Sequence, residues 1–430
     1  MAARCARLAA CPPPRTTELI AISPHRDGGS SSTSFDEPGR DTWRSSLDLQ
    51  QRSSSDGAAA ASQAAWAIQA LPSSAVTALA LHPLRPVTAF GDASGTVRVW
   101  VRPDGGEATG RHGGPAAAVA AASAAVVGRL PLRISRSPVV ALHLINALDA
   151  DDPLLLGGCD DGTVAVWKGW TPRLGGAAWH PPPTLATSWR ALPGALPTRP
   201  APRFGAAFSF QQAAGCLYVT GEGSLWGSAS GGALHVWDLT SEALADCVPL
   251  STLAAGAGMT CLSAACGALV LGGASDGRLL SFDLRSPARL LSSARLHTAP
   301  LRGVLLHPGG AAHTLVTASS AGELVWTDLR MLMEPLAVVQ AFPQGGLTTL
   351  VAHPAAHVLA AGSAGERCVK LYDTGAVPLG TIKYHVAFLG QRMAPVTSLA
   401  FSPSDPVLAA GGADGLVALY GPPDGAGIAG

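Results

Sequence analysis

The side chains in this sequence that could do chemistry are few, and most stand where a structural need explains them first. Ser, His and Asp recur near one another, but no GxSxG elbow presents a serine and no strand–helix alternation would carry one. Spread over short strands, such side chains are expected to bond one another across a sheet and tie it together. His353 and His357 are four apart on strand-turn sequence, where that spacing does not bring both rings to one face, so no zinc site is expected. The glycine-rich runs lack the Gly-Lys-Ser/Thr ending of a phosphate-binding loop. Asp151–Asp152 and Asp160–Asp161 read as turn residues bonding nearby backbone, not as a paired acid and base. Eight cysteines form no CxxC pair, and Cys159, Cys261 and Cys368 fall inside apolar runs that bury small thiols. The expectation is a protein with no catalytic residues, no cofactor and no metal.

Composition narrows the partners. Lys plus Arg and Asp plus Glu both number 29, giving a formal net charge of zero. Nucleic-acid affinity comes largely from neutralised phosphates, so a nucleic-acid partner is not expected. The longest apolar run, Pro115 to Gly128, is Ala-rich and shorter than the ~18–20 residues a bilayer requires. The start, MAARCARLAACPPPR, has Arg and Ala but no apolar core and is not a secretory signal; an organellar transit segment is the alternative. The unpaired cysteines and absent spans predict a cytoplasmic protein.

The elements that hold these residues are legible as a repeat. A small-residue or Asp-Gly turn followed by an alternating strand ends at Trp100, Trp167, Trp237, Phe282, Thr327, Tyr372 and Tyr420. In most copies the turn glycine stands five residues earlier, and from Gly322 that offset selects Thr327, not Trp326. Successive spacings of 67, 70, 45, 45, 45 and 48 residues, with Asp after the slot at Asp238, Asp283, Asp328 and Asp373, make the WD40 pattern of four strands per blade. The fold class predicted is therefore all-β, a seven-bladed WD40 β-propeller over about 62–421. Insertions are expected at about 102–132 and 171–202, where Gly, Ala and Pro accumulate. Val76–Pro83, Val304–Pro308, Leu350–Pro354 and Val396–Pro403 read as inner strands closed by His-Pro or Ser-Pro. Residues about 62–70 are expected to supply the strand that closes the ring. Residues 1–60, rich in Ser, Arg, Pro and Asp, are expected to be disordered, and 422–430 to be a flexible tail.

Two family resemblances follow. Asp283-Leu284-Arg285 and Asp328-Leu329-Arg330 resemble the box of WD40 substrate receptors of cullin-4 ubiquitin ligases, which would make Arg285 and Arg330 adaptor-binding. A more extensive resemblance rests on Thr381-Ile-Lys-Tyr-His-Val-Ala-Phe-Leu-Gly-Gln-Arg392, with His385 and Leu389 where the family has Tyr and Met. Leu144–Asp149, Phe208–Gln212 and Ser281–Pro287 agree in order along the chain. Together they resemble the C-terminal propeller of Raptor, the regulatory-associated protein of the target-of-rapamycin kinase.

That resemblance implies a scaffold of target-of-rapamycin complex 1, whose partners are subunits of the TOR kinase complex and which reaches an endomembrane surface only through that complex. Raptor-like proteins also carry a caspase-like domain and a helical solenoid, which this sequence lacks, so only the propeller's part in assembly is implied. The chain would then be a truncated form or a free-standing propeller. Tyr384, Phe388, Gln391 and Arg392, side-chain types frequent at binding hot spots, are the candidate protein-binding residues.

Overall fold

The computed structural model describes residues 66–69, 74–101, 132–148, 153–171, 182–192, 205–221, 232–250, 252–253, 257–264, 268–306, 314–383, 393–405 and 407–421. Their strands form seven four-stranded antiparallel sheets, and in all but one the four strands are consecutive in the chain. Blade one is Val76–Leu81, Val87–Asp92, Thr96–Val101 and Leu132–Arg133, from inner to outer strand. Blades two to six begin at Val139, Ala207, Met259, Leu301 and Leu347. Blade seven is Val396–Phe401, Leu408–Gly412 and Leu416–Tyr420, and its outer strand is Trp66–Gln69, paired from Trp66↔Leu419 to Gln69↔Leu416. The ring thus closes by hydrogen bonds between the two ends of the propeller, which removes the edges an open sheet would expose.

There is no single core. Seven apolar layers each join one pair of neighbouring blades. In the second strand of blade one, Val87 and Ala89 enter the layer shared with blade two while Phe90 enters the layer shared with blade seven. With both faces buried, strands read as nearly continuous apolar runs instead of a polar–apolar alternation.

The tight turn between second and third strands recurs with a glycine at positive φ: Gly95 at 82°, Gly162 at 79°, Gly277 at 83°, Gly322 at 87° and Gly415 at 80°. In blade six Arg367 holds the equivalent place at φ 52°. The slot at Thr327 is confirmed by register. Leu315 faces Thr327 as Val270 faces Phe282 and Leu359 faces Tyr372. Trp326, one residue earlier, lies on the other side of the sheet and meets Tyr372 of blade six edge-on at 6.0 Å.

Blades are also clasped by threonines. Six of the seven inner strands bulge at their second residue, and in four blades that residue is Thr77, Thr260, Thr348 or Thr397. Their hydroxyls donate to the first residue of the next inner strand: Thr77 to Val139 O (2.5 Å), Thr260 to Leu301 O (2.6 Å), Thr348 to Val396 O (2.8 Å), and Thr397 to Val76 O across the seam.

The residues expected as two insertions are partly accounted for. Residues 102–131 lie outside the described residues, between the third and outer strands of blade one. The stretch 171–202 is not one loop. Thr184–Arg190 within it is the outer strand of blade two, paired from Thr163↔Arg190 to Lys168↔Thr184. Flanking prolines and a register slip opposite Trp167 disguised this strand. Residues 1–60 and 422–430 lie outside the described residues.

Candidate protein-interaction site

The topology sorts the loops onto two faces. One face carries the turns between second and third strands and the connections from each outer strand to the next blade. The other carries the turns between first and second and between third and outer strands. Tyr384, Phe388, Gln391 and Arg392 lie outside the described residues, on the connection between blades six and seven. Its two ends are fixed: Met393 N–H donates to Lys383 O at 3.0 Å, with Met393 and Ile382 both buried in the layer between those blades. The connection therefore leaves and returns at one point on the first face.

Arg285 and Arg330 sit on the opposite face, in the turns from third to outer strand of adjacent blades. Each grips the aspartate two residues before it: Arg285 Nε and Nη2 donate to Asp283 at 3.1 and 3.0 Å, and Arg330 to Asp328 at 3.0 and 2.7 Å. The pairing holds each aspartate carboxyl–guanidinium turn together from within, and the Arg285 hydrogen bonds lower the pKa of Asp283. Both guanidiniums remain solvent-facing, at 78% and 67% exposure. Exposed ion pairs contribute little to stability, so replacing Arg285 and Arg330 by Ala should leave the thermal midpoint unchanged.

One constellation that the sequence reading did not single out has the outline of a nucleophile–base–acid relay. His297 Nδ1 lies 2.6 Å from Glu323 Oε2 and its Nε2 lies 2.8 Å from Thr317 Oγ1. Thr317 is fully buried and so is the imidazole. A nucleophile needs access to its substrate, and this hydroxyl has none. The trio instead ties the loop entering blade five to that blade's second and third strands, the cross-blade role expected of such side chains. Burial lowers the pKa of His297, against the opposing effect of Glu323.

Two other histidines serve turns. His82 Nδ1 accepts from Leu84 N–H at 3.0 Å, and His353 Nδ1 accepts from Ala355 and Ala356 N–H at 3.1 and 2.7 Å. Both therefore hold an unprotonated ring nitrogen against a backbone donor, the reason for the His-Pro strand endings. Burial pushes His82 down to about 4, with Arg85 adding to the shift.

Asp160 and Asp161 behave as turn residues. Asp161 accepts from Thr163 N–H at 2.9 Å and Ser135 Oγ at 2.8 Å, while Asp160 reaches across to Ala206 N–H of blade three at 3.1 Å. The described cysteines are free thiols. Burial pushes Cys159 up to about 12 and Cys261 to about 11, far from the thiolate a nucleophile requires. Among the described residues no group of His, Cys, Asp and Glu could hold a metal ion, and no helix is long and apolar enough to cross a membrane.

Comparisons with known proteins agree with this architecture. Residues 379–420 match the family model of the WD domain, G-beta repeat. The chain is 31% identical over 346 residues to regulatory-associated protein of TOR 1 of Arabidopsis thaliana, covering 79% of this chain and 22% of that protein. It is 34% identical over 295 residues to regulatory-associated protein of TOR 2 of Oryza sativa subsp. japonica, covering 67% and 20%. To the raptor homolog of Dictyostelium discoideum it is 25% identical, covering 67% and 18%.

In structure it resembles the Raptor of Chaetomium thermophilum, with a TM-score of 0.63 at 21% identity over 83% of this chain and 28% of that one. The chain spans about a fifth of the length of the relatives it matches. The seven-bladed ring is thus homologous to the WD40 region of the Raptor family, the regulatory-associated proteins of TOR.

Proposed function

We propose that this chain is a non-catalytic, cytoplasmic scaffold whose ring contributes to assembly of target-of-rapamycin complex 1 and so to TOR signalling. The carrying observation is the similarity to regulatory-associated proteins of TOR over 79% of the chain at 31% identity. The ring suits the role physically. Sheets packed on both faces hold the connecting loops, so binding costs little ordering entropy. The partners of this reading are protein subunits of the TOR kinase assembly, met on the face where the connection from Lys383 to Met393 is pinned at its stem.

Affinity purification of the tagged chain from its own cells tests the proposal. TOR kinase is expected in the eluate and should be depleted when Phe388, Gln391 and Arg392 are replaced by Ala, with the thermal midpoint unmoved. An eluate without the kinase overturns the assembly role. Unchanged recovery by the triple variant would move the contact elsewhere on the ring.

A further inference from the structure

The outer strand of blade five is unlike the other outer strands. Met331–Gln340 is ten residues long, against two to seven for the rest. It exposes Met331, Met333, Leu336 and Val338 at 54, 77, 65 and 55%, four of the ten large apolar side chains exposed among the described residues.

Its two halves are built differently. Opposite Thr327 and Asp328 the register slips twice, Pro335 offers no N–H, and Glu334 is exposed. Bulges, proline and charge are the means by which sheet edges avoid pairing with other chains. Leu336 is the extra residue of the second slip, and from Ala337 to Gln340 no bulge, proline or charge is present. Pairing runs without a slip from Trp326↔Ala337 to Glu323↔Gln340, and no residue of the stretch is charged. Ala337 and Val339 pack on the layer shared with blade six. Strand alternation within the regular stretch therefore turns Val338 to the other face, where it is exposed. Every second N–H and C=O of an edge points away from its partner strand, and among the described residues no strand pairs on the outer side.

We propose that Ala337–Gln340 is a strand-addition site that takes an extended segment of a partner protein, apolar at alternate positions, as a fifth strand of blade five. The row of backbone donors and acceptors selects a strand, because a helix has already used its own backbone groups internally. The absence of charge selects apolar side chains to cover Val338. A second folded copy of the chain is the wrong size. Four residues at ~3.3 Å each give an edge of roughly 13 Å, too short to bury the ~1,200 Å² of a specific interface between folded bodies. This site stands on the edge geometry alone, so it and the TOR reading can fail separately.

The test pans a display library of random short peptides on the full chain, then studies the enriched peptides in solution. They should show apolar residues at every second position and slow hydrogen exchange at Ala337–Gln340. Backbone N-methylation should abolish binding at alternate peptide positions and be tolerated between them. Val338→Lys, at an exposed position, should weaken binding by about tenfold, the loss of a hot-spot contact, with the thermal midpoint unchanged.

Peptides that bind without period-two sensitivity to N-methylation, or that protect another surface, overturn the proposal. So does slow exchange of the whole stretch in the free chain, which would mean its edge is already covered. A dimer in sedimentation that Val338→Lys dissolves would also overturn it, in favour of a second copy.

Discussion

Gly411→Leu is expected to destabilise the ring by ~3 kcal/mol or more, the cost of forcing a side chain into a packed interior, while Gly375→Ala leaves it nearly unchanged. A Cβ at Gly411 would stand 2.6 Å from Val76 Cγ1 and 2.5 Å from Ser398 Oγ. Neither neighbour can withdraw. Val76 is fully buried, and its carbonyl accepts from both Thr397 and Ser398 at the seam between blades seven and one.

The same close approach recurs around the ring, with Gly91 against Val139, Gly273 against Leu301 and Gly362 against Val396. Blade-to-blade spacing is therefore set by a glycine in each of these second strands. At Gly375 the nearest atom is Asp373 Oδ1 at 3.4 Å, ordinary contact. Denaturant unfolding of both variants checks the expectation. Similar midpoints for the two would show that the seam can open to accommodate a side chain.

Acid should weaken the fold by several kcal/mol between pH 7 and 5, well above the pH at which most carboxylates titrate. Burial pushes His82 and His143 down to about 4. It also lowers His235, His297 and His353. In the unfolded chain each would titrate near ~6.5. Over the interval between these values the unfolded state binds more protons than the folded one, so stability falls as pH falls. The contribution is whole above about pH 6.5 and declines toward pH 4, by up to ~1.4 kcal/mol per pH unit for each such histidine.

The structural reason is visible at His82 and His353, whose Nδ1 atoms accept backbone N–H groups and cannot do so once protonated. Urea midpoints at pH 7.5, 6 and 5 measure the decline, and His143→Leu should make it shallower. A midpoint independent of pH over that range would contradict this account.

Much of this fold could be read from residue order because the propeller repeats one physical solution. The turn glycine and the buried residue five places on are fixed by the same hairpin in blade after blade. That is why Thr327 could be placed in an aromatic slot before its register was seen. The closing strand at Trp66–Gln69 was legible for a related reason, since a short apolar stretch stands just before the first strand of blade one.

What failed to show was anything not repeated. Thr184–Arg190 was hidden because prolines flank it and its register slips opposite Trp167. His297 was not singled out because its partners, Thr317 and Glu323, are 20 and 26 residues away and meet it only when blade five folds. Nor could the long outer strand of blade five be anticipated, since exposure of Leu336 and Val338 depends on no strand pairing beside it among the described residues.

If this ring joins the TOR kinase assembly as proposed, the two proteins should bind one another when purified. Mixing the purified chain with purified TOR kinase and following both through size exclusion tests it most directly, with Gly411→Leu as the ring-broken control. The intact chain should move to the kinase's elution volume in a fixed ratio, and the control should not. An intact, folded chain that elutes alone at every concentration, with the kinase unshifted, would contradict it.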